Sequence, residues 1–166
     1  MSASVRIRRA TLDDYDALCR LFHQLDEHHV QASPAHFQAF PPPARPHDLL
    51  NAKLLNPDGA VFVAEAGEEL VGFLDVWKDG PSRAPMFKQV TFAHLENMVV
   101  DARYRRQGIA AALLSEARRW AAERGLNSLQ LKVYSANTSA VSFYEKEGFV
   151  PLALTMELSI QEDLRA

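Results

Sequence analysis

The chain predicts an α/β protein: a mixed, mostly antiparallel, twisted sheet of about six to seven strands flanked by about four helices. Three observations carry that prediction. Short β-branched and aromatic runs alternate with segments whose apolar residues recur at helical spacing. Three of the runs, at residues 60–65, 69–77 and 90–100, follow one another with mostly polar turns between them, as in an antiparallel meander. The two helical patterns nearest the C-terminus each stop at a glycine, Gly125 and Gly148.

Val5, Arg6, Ile7 and Arg8 alternate as a strand, and Thr11 with Asp14 three residues on reads as a capping box. Leu12, Tyr15, Leu18, Cys19, Phe22 and Leu25 follow on one helical face, which predicts a helix to about Leu25. Residues 26–46 lose the periodicity and hold Pro34, Pro41, Pro42, Pro43 and Pro46, so a loop is expected, with one short helix near residues 34–39. Long connections often carry recognition, which makes His28, His29, Phe37 and Phe40 candidate acceptor-lining residues; plain packing of the loop explains them as well.

Residues 47–55 form a short helix closed by the turn residues Asn56, Pro57, Asp58 and Gly59. The meander comes next, its first two strands joined by Ala66, Gly67 and Glu68 as a hairpin turn. Residues from Gln107 to about Arg124 predict a helix burying Ile109, Leu113, Leu114, Ala117, Trp120 and Ala121. Residues 129–134 read as a strand, 137–147 as a helix, and 149–159 as a last strand or pair of strands.

Between the meander and that helix, Val99, Val100 and Asp101 give way to Arg103, Arg105, Arg106, Gln107 and Gly108. A helix starting here leaves its first N–H groups unpartnered beside two arginines, and Gly108 and Ala110 leave room for a diphosphate at the backbone. There is no Gly-Lys-Ser/Thr ending and no Gly-x-Gly-x-x-Gly, so the common nucleotide motifs are excluded. An ordinary solvated helix cap is the plain alternative.

With 166 residues and a formal net charge of −3, the chain fits one domain and has no overall field for nucleic acid. A single cysteine, Cys19, excludes an internal disulfide and leaves no zinc cluster, so no metal is expected. Neither a signal region nor a membrane-length apolar run is present, so a cytoplasmic protein is expected, without a membrane partner.

The stretch Arg105-x-x-Gly108-x-Ala110 closely resembles the Arg/Gln-x-x-Gly-x-Gly/Ala acyl-CoA signature of the GNAT N-acetyltransferase superfamily. Asn137, Ala140, Phe143, Tyr144, Gly148 and Phe149 resemble its second signature, Asn-x-x-Ala-x-x-Phe-Tyr-x-x-x-Gly-Phe. The resemblance spans residues 5–158. It implies a single N-acyltransferase domain over residues 1–166, with acetyl-CoA as co-substrate, an amine acceptor, and a sheet splayed at the acyl-CoA site. Pantetheine would pair with main chain at Met98, Val99 and Val100. The pyrophosphate would lie on Arg105, Arg106, Gln107, Gly108, Ile109 and Ala110, with Asn137 fixing the arm or its loop. A homodimer is a further expectation the resemblance carries.

A phenol stays protonated at neutral pH, so Tyr144 can donate to a sulfur leaving group, which is what the family implies for it; packing or cofactor contact is the alternative. Glu96, two positions before Met98, is expected on the same strand face as Met98 and Val100. An alkylamine is almost wholly protonated at pH 7, so acyl transfer needs a base, and Glu96 is the candidate, directly or through water; a carboxylate that only binds the acceptor is the alternative. Asp75, His94 and Tyr134 are weaker candidates. Direct attack by the amine in a ternary complex is the expected mechanism. A non-catalytic acyl-CoA-binding sensor, or an interaction module whose phosphate loop holds another nucleotide, is the competing reading.

Overall fold

The computed structural model describes residues 4–43 and 45–160. In chain order the elements are β1 (Val5–Arg9), α1 (Tyr15–Ala32), α2 (His47–Leu54), β2 (Gly59–Ala66), β3 (Glu69–Asp79), β4 (Phe92–Val100), α3 (Ile109–Glu123), β5 (Leu129–Leu131) and α4 (Thr138–Lys146). One sheet runs β1-β2-β3-β4-β5, antiparallel except for the parallel β4–β5 pair.

Both faces of the sheet are covered, which is why β2 and most of β3 are buried. Ala60, Phe62, Ala64, Val71, Leu74 and Val76 face α3, where Leu113, Leu114, Ala117 and Trp120 close one core. Val61, Val63, Leu70 and Phe73 face α1 and α2, where Leu18, Leu21, Phe22 and Leu50 close the other. Cys19 packs against this second core as a structural thiol.

Four differences from the sequence reading have physical causes. The first helix does not stop near Leu25 but continues to Ala32, because no breaker precedes Pro34; the expected helix at residues 34–39 is a single turn, with His36 and Phe37 both donating to the Ser33 carbonyl. The helix α3 starts at Ile109 rather than Gln107, since Gly108 takes a left-handed φ of +81° and stands as its N-cap. The strand β5 ends at Leu131 rather than Tyr134, because its partner β4 turns away there. Residues 149–159 form no strand, so the sheet has five strands among the described residues, and Val150, Leu152, Leu154, Met156 and Leu158 are exposed.

The end of β4 is anchored by Asp101, only 1% exposed. Its N–H donates to the Val71 carbonyl at 2.8 Å. Its carboxylate accepts from Arg103 N and Nε, from Arg20 Nη1 at 2.7 Å and from Gln24 Nε2 at 3.1 Å. The Arg103 hydrogen bonds, opposed by burial, hold this carboxyl well below the usual carboxylate range. A depressed folded pKa stabilises the native state above the unfolded value near pH ~4 and loses that contribution as pH falls through the folded value. Asp101→Asn is therefore expected to destabilise by about 2 kcal/mol at pH 7, with the gap to wild type closing below pH ~4. Urea melts at pH 7 and pH 3 check both parts.

Candidate active site

The strand β4 pairs with β3 along its length but with β5 only at Ala93, His94 and Leu95. Past Leu95 the two parallel strands part, and among the described residues no strand takes the β5-facing edge of residues 96–100. The gap is a cleft of about 410 Å3, lined by residues 96–100, by Lys132, Val133 and Tyr134, by α4, and by Leu25, His28 and His29 of α1.

At one end of the cleft the chain leaves β4 through a cationic turn. Arg105 Nε donates to the Val100 carbonyl at 3.2 Å, tying the turn to the strand. Arg106 holds a left-handed φ of +63° and Gly108 follows at +81°, so two reversals within three residues feed α3. Among the described residues no side chain caps α3, which leaves its first N–H groups for an anion. A Cβ at Gly108 would meet no atom within 4 Å, so the space before this turn is open. Arg105 and Ala110 line the cleft, whereas Ile109 is buried in the core and offers only main chain. Arg106 and Gln107 are exposed.

Met98 and Val100 line the cleft and pack against the core under α3; the Val99 side chain is buried on the opposite face. Tyr144 reaches the cleft from α4, its ring edge-on to Phe143 and Phe149 at 5.3 and 5.4 Å. Burial pushes its phenol up to about 12, and no hydrogen bond among the described residues reaches its hydroxyl. It is a protonated, unengaged donor on a residue that lines the gap. Asn137 is the N-cap of α4: its Oδ1 accepts from Ala140 N at 3.3 Å and lies 3.3 Å from His28 Nε2.

His28, His29 and Phe37, expected in the recognition loop, all line the cleft, the two histidines from the extended end of α1. The His29 ring stacks on Phe37 at 4.9 Å, and burial lowers its pKa against the pull of Asp26, so it is neutral at physiological pH. Phe37 meets Tyr134 edge-on at 5.0 Å. Phe40 stands apart, in a shallow groove with His23 and Asp26.

Glu96 lines the cleft, but not by the expected alternation. The ladder pairs Asp75 with Asn97 and then Val76 with Leu95, leaving Glu96 as a bulged residue with no partner across it. The bulge puts Leu95 and Met98, three apart, on one face, and sends Glu96 to the other, toward α2, where its carboxylate accepts from Lys53. Lys53 also bonds buried Asp75 at 2.8 Å and lies 5.3 Å from the Trp77 ring. Burial raises the Asp75 pKa, opposed by Lys53; for Lys53, burial is outweighed by the two carboxylates, and its pKa rises.

Asp75 is thus committed to Lys53 and to Asn97, whose backbone N–H it accepts at 2.7 Å. His94 lies tilted against the Trp77 ring, 4.6 Å between centroids, and is not among the cleft-lining residues. Sequence reasoning missed Lys53: a lysine on a short helix carries no signal until the bulge shows what it meets. Among the described residues no cluster of three or more metal-binding side chains occurs, and no helix is long and apolar enough to cross a membrane.

Comparison with known proteins bears on the family and the fold. The model of the acetyltransferase (GNAT) family matches residues 22–149. The chain is 30% identical over 149 residues to the uncharacterized N-acetyltransferase YhfO of Bacillus subtilis (strain 168), covering 87% of this chain and 89% of that protein. A crystal structure of a tetramutant of the BH1408 protein from Bacillus halodurans superposes with a TM-score of 0.87 at 24% identity, over 93% of this chain and 99% of the other. The aminoglycoside N-acetyltransferase AAC(6')-Iy in complex with CoA superposes with a TM-score of 0.71 at 19% identity, over 96% of each chain.

Proposed function

The chain belongs to the GNAT acetyltransferase family, and on that premise we propose that it moves an acetyl group from acetyl-CoA to a primary amine by direct attack within a ternary complex. The observation that carries the reading is the parting of β4 from β5, with Arg105 of the cationic turn and Tyr144 both lining the same gap. Acetyl-CoA, when bound, supplies an acyl group activated as a thioester.

Each part of the cleft has a chemical task. The free edge of residues 97–100 offers main-chain donors and acceptors to an extended amide-bearing arm, in the manner of an added strand. Arg105, Arg106 and the first N–H groups of α3 offer charge and donors to a diphosphate. A main-chain N–H near Met98 stabilises the oxyanion as the amine nitrogen bonds to the acyl carbon. Glu96 takes the proton of the acceptor ammonium, directly or through water, and the C–S bond breaks as Tyr144 gives its phenolic proton to the departing sulfur. His28, His29, Phe37 and Tyr134 line the acceptor side, an aromatic and polar surface suited to a cation flanked by apolar groups.

Release of thiol from acetyl-CoA across a panel of primary amines tests the reading. Double-reciprocal lines that intersect as both substrates vary are expected; parallel lines would point to a covalent intermediate and overturn direct attack. Acetyl-CoA binding without amine-stimulated thiol release would favour the sensor reading. Glu96→Gln separates its two roles: as base it lowers kcat by about 10–100-fold, whereas as a binder alone it raises KM with kcat unchanged.

A further inference from the structure

The acceptor side of the cleft carries more aromatic surface than an ammonium ion alone needs. Four rings form an unbroken run there: His29 stacks on Phe37 at 4.9 Å, Phe37 meets Tyr134 edge-on at 5.0 Å, and Tyr134 lies tilted against His36 at 5.4 Å. The run is held at its outer end, since His36 Nδ1 lies 2.9 Å from Ser33 Oγ and its Nε2 lies 2.9 Å from Glu157 Oε2. It is not closed over: Tyr134 is 38% exposed, Phe37 is half-buried, and both line the cleft. Rings held in place with surface to spare are preorganised to take another ring.

Negative charge is scarce by comparison. Among the described residues Glu96 is the single carboxylate that lines the cleft. Its Oε2 accepts from Lys53, and no hydrogen bond among the described residues reaches Oε1, which leaves one oxygen for one ammonium. The neighbouring carboxylates are already committed: Asp75 to Lys53, Asp26 to Arg45 and Glu157 to His36. Lys132 lines the same cleft, with its Nζ 5.8 Å from the Tyr134 ring. A second or third ammonium on the acceptor would lose water beside a fixed cation, with no carboxylate to meet it.

We propose that this site takes a primary monoamine with an aromatic ring a short alkyl chain from its nitrogen, and excludes polycations such as polyamines and aminoglycosides. The proposal rests on the acetyltransferase reading for what then happens to the amine. The ligand ring packs on Phe37 and Tyr134 while Glu96 Oε1 receives the ammonium. The His29 ring, neutral through burial, extends the aromatic surface without adding charge. A free arylalkylamine and the N-terminus of a peptide beginning with phenylalanine present this same unit, so the chemistry is shared and the source is a matter for the test.

The test compares phenethylamine, hexylamine, spermidine and kanamycin as acceptors for the full chain, followed by thiol release from acetyl-CoA. Phenethylamine is expected to exceed hexylamine in kcat/KM by at least about fivefold, the share of the ring, and both polycations by at least about 50-fold. Phe37→Leu is expected to cut the phenethylamine-to-hexylamine ratio below about twofold, and exposed Tyr134→Leu does the same if the first variant does not fold. Lys132→Glu is expected to improve kcat/KM for spermidine by at least about tenfold. A peptide beginning with phenylalanine separates the sources: turnover equal to that of phenethylamine assigns the unit to a peptide end, and turnover of the free amine alone assigns it to a small molecule. A preference for spermidine or kanamycin, or equal turnover of phenethylamine and hexylamine, overturns the proposal and leaves the acetyltransferase reading standing. Thiol release with no amine at all overturns the acetyltransferase reading, and nuclear magnetic resonance titration then decides the ligand class. Phenethylamine moving the Phe37 and Tyr134 ring signals where spermidine does not supports the proposal, and any other result overturns it.

Discussion

Tyr144→Phe is expected to lower kcat by about 10²–10³-fold while leaving the KM for acetyl-CoA within about threefold of wild type. The substitution removes one oxygen and keeps the ring, so the edge-on contacts to Phe143 and Phe149 remain. What is lost is the proton that the leaving sulfur needs. The phenol suits that task because burial pushes it up to about 12 and no neighbour engages its hydroxyl. It is therefore fully protonated across the working range, and the variant's deficit is expected to be flat with pH up to about 9. A leaving group that needs no proton, such as an acylated nitrothiophenol, should restore most of the rate. A variant with unchanged kcat would reduce Tyr144 to a packing residue.

Gly108→Trp is expected to weaken acetyl-CoA binding at least about 100-fold with the fold intact. Two effects separate here. A non-glycine residue at φ +81° carries strain of about 1–2 kcal/mol, a penalty that Gly108→Ala also incurs. The indole alone fills the open space before the turn, where a Cβ meets no protein atom within 4 Å. Both variants should therefore melt a few degrees below wild type. Only the tryptophan variant should lose binding, with the alanine variant within about tenfold. Equal loss in both would make backbone strain, and not occlusion of a ligand, the reason for glycine at this position.

The parts of the fold that rest on local chemistry were legible in the chain. The glycine stops at Gly125 and Gly148, the Gly67 hairpin and the core face of α3 follow from φ preference and periodicity, and they stand where those rules put them. The cationic turn was legible for the same reason, since its residues are neighbours in the chain. What escaped depends on partners across the sheet. Helix α1 runs past Leu25 with no breaker before Pro34, and the sequence could not show that His28 and His29 in this extension pack against Asn137 and Phe37, far away in sequence or across a loop. The bulge that turns Glu96 toward Lys53 exists only in the register of β3 against β4, and strict alternation cannot foresee it. Residues 149–159 show the reverse case: the strand pattern is plain, but the segment joins no sheet.

The central claim, that the gap between β4 and β5 is an acetyl-CoA site, is tested most directly by calorimetric titration of the wild-type chain with acetyl-CoA and, separately, with ADP. Saturable binding of acetyl-CoA at one site per chain is expected, with ADP weaker by at least about tenfold because it engages the turn but not the β4 edge. No acetyl-CoA binding by well-folded protein, or ADP binding as tightly, would contradict it.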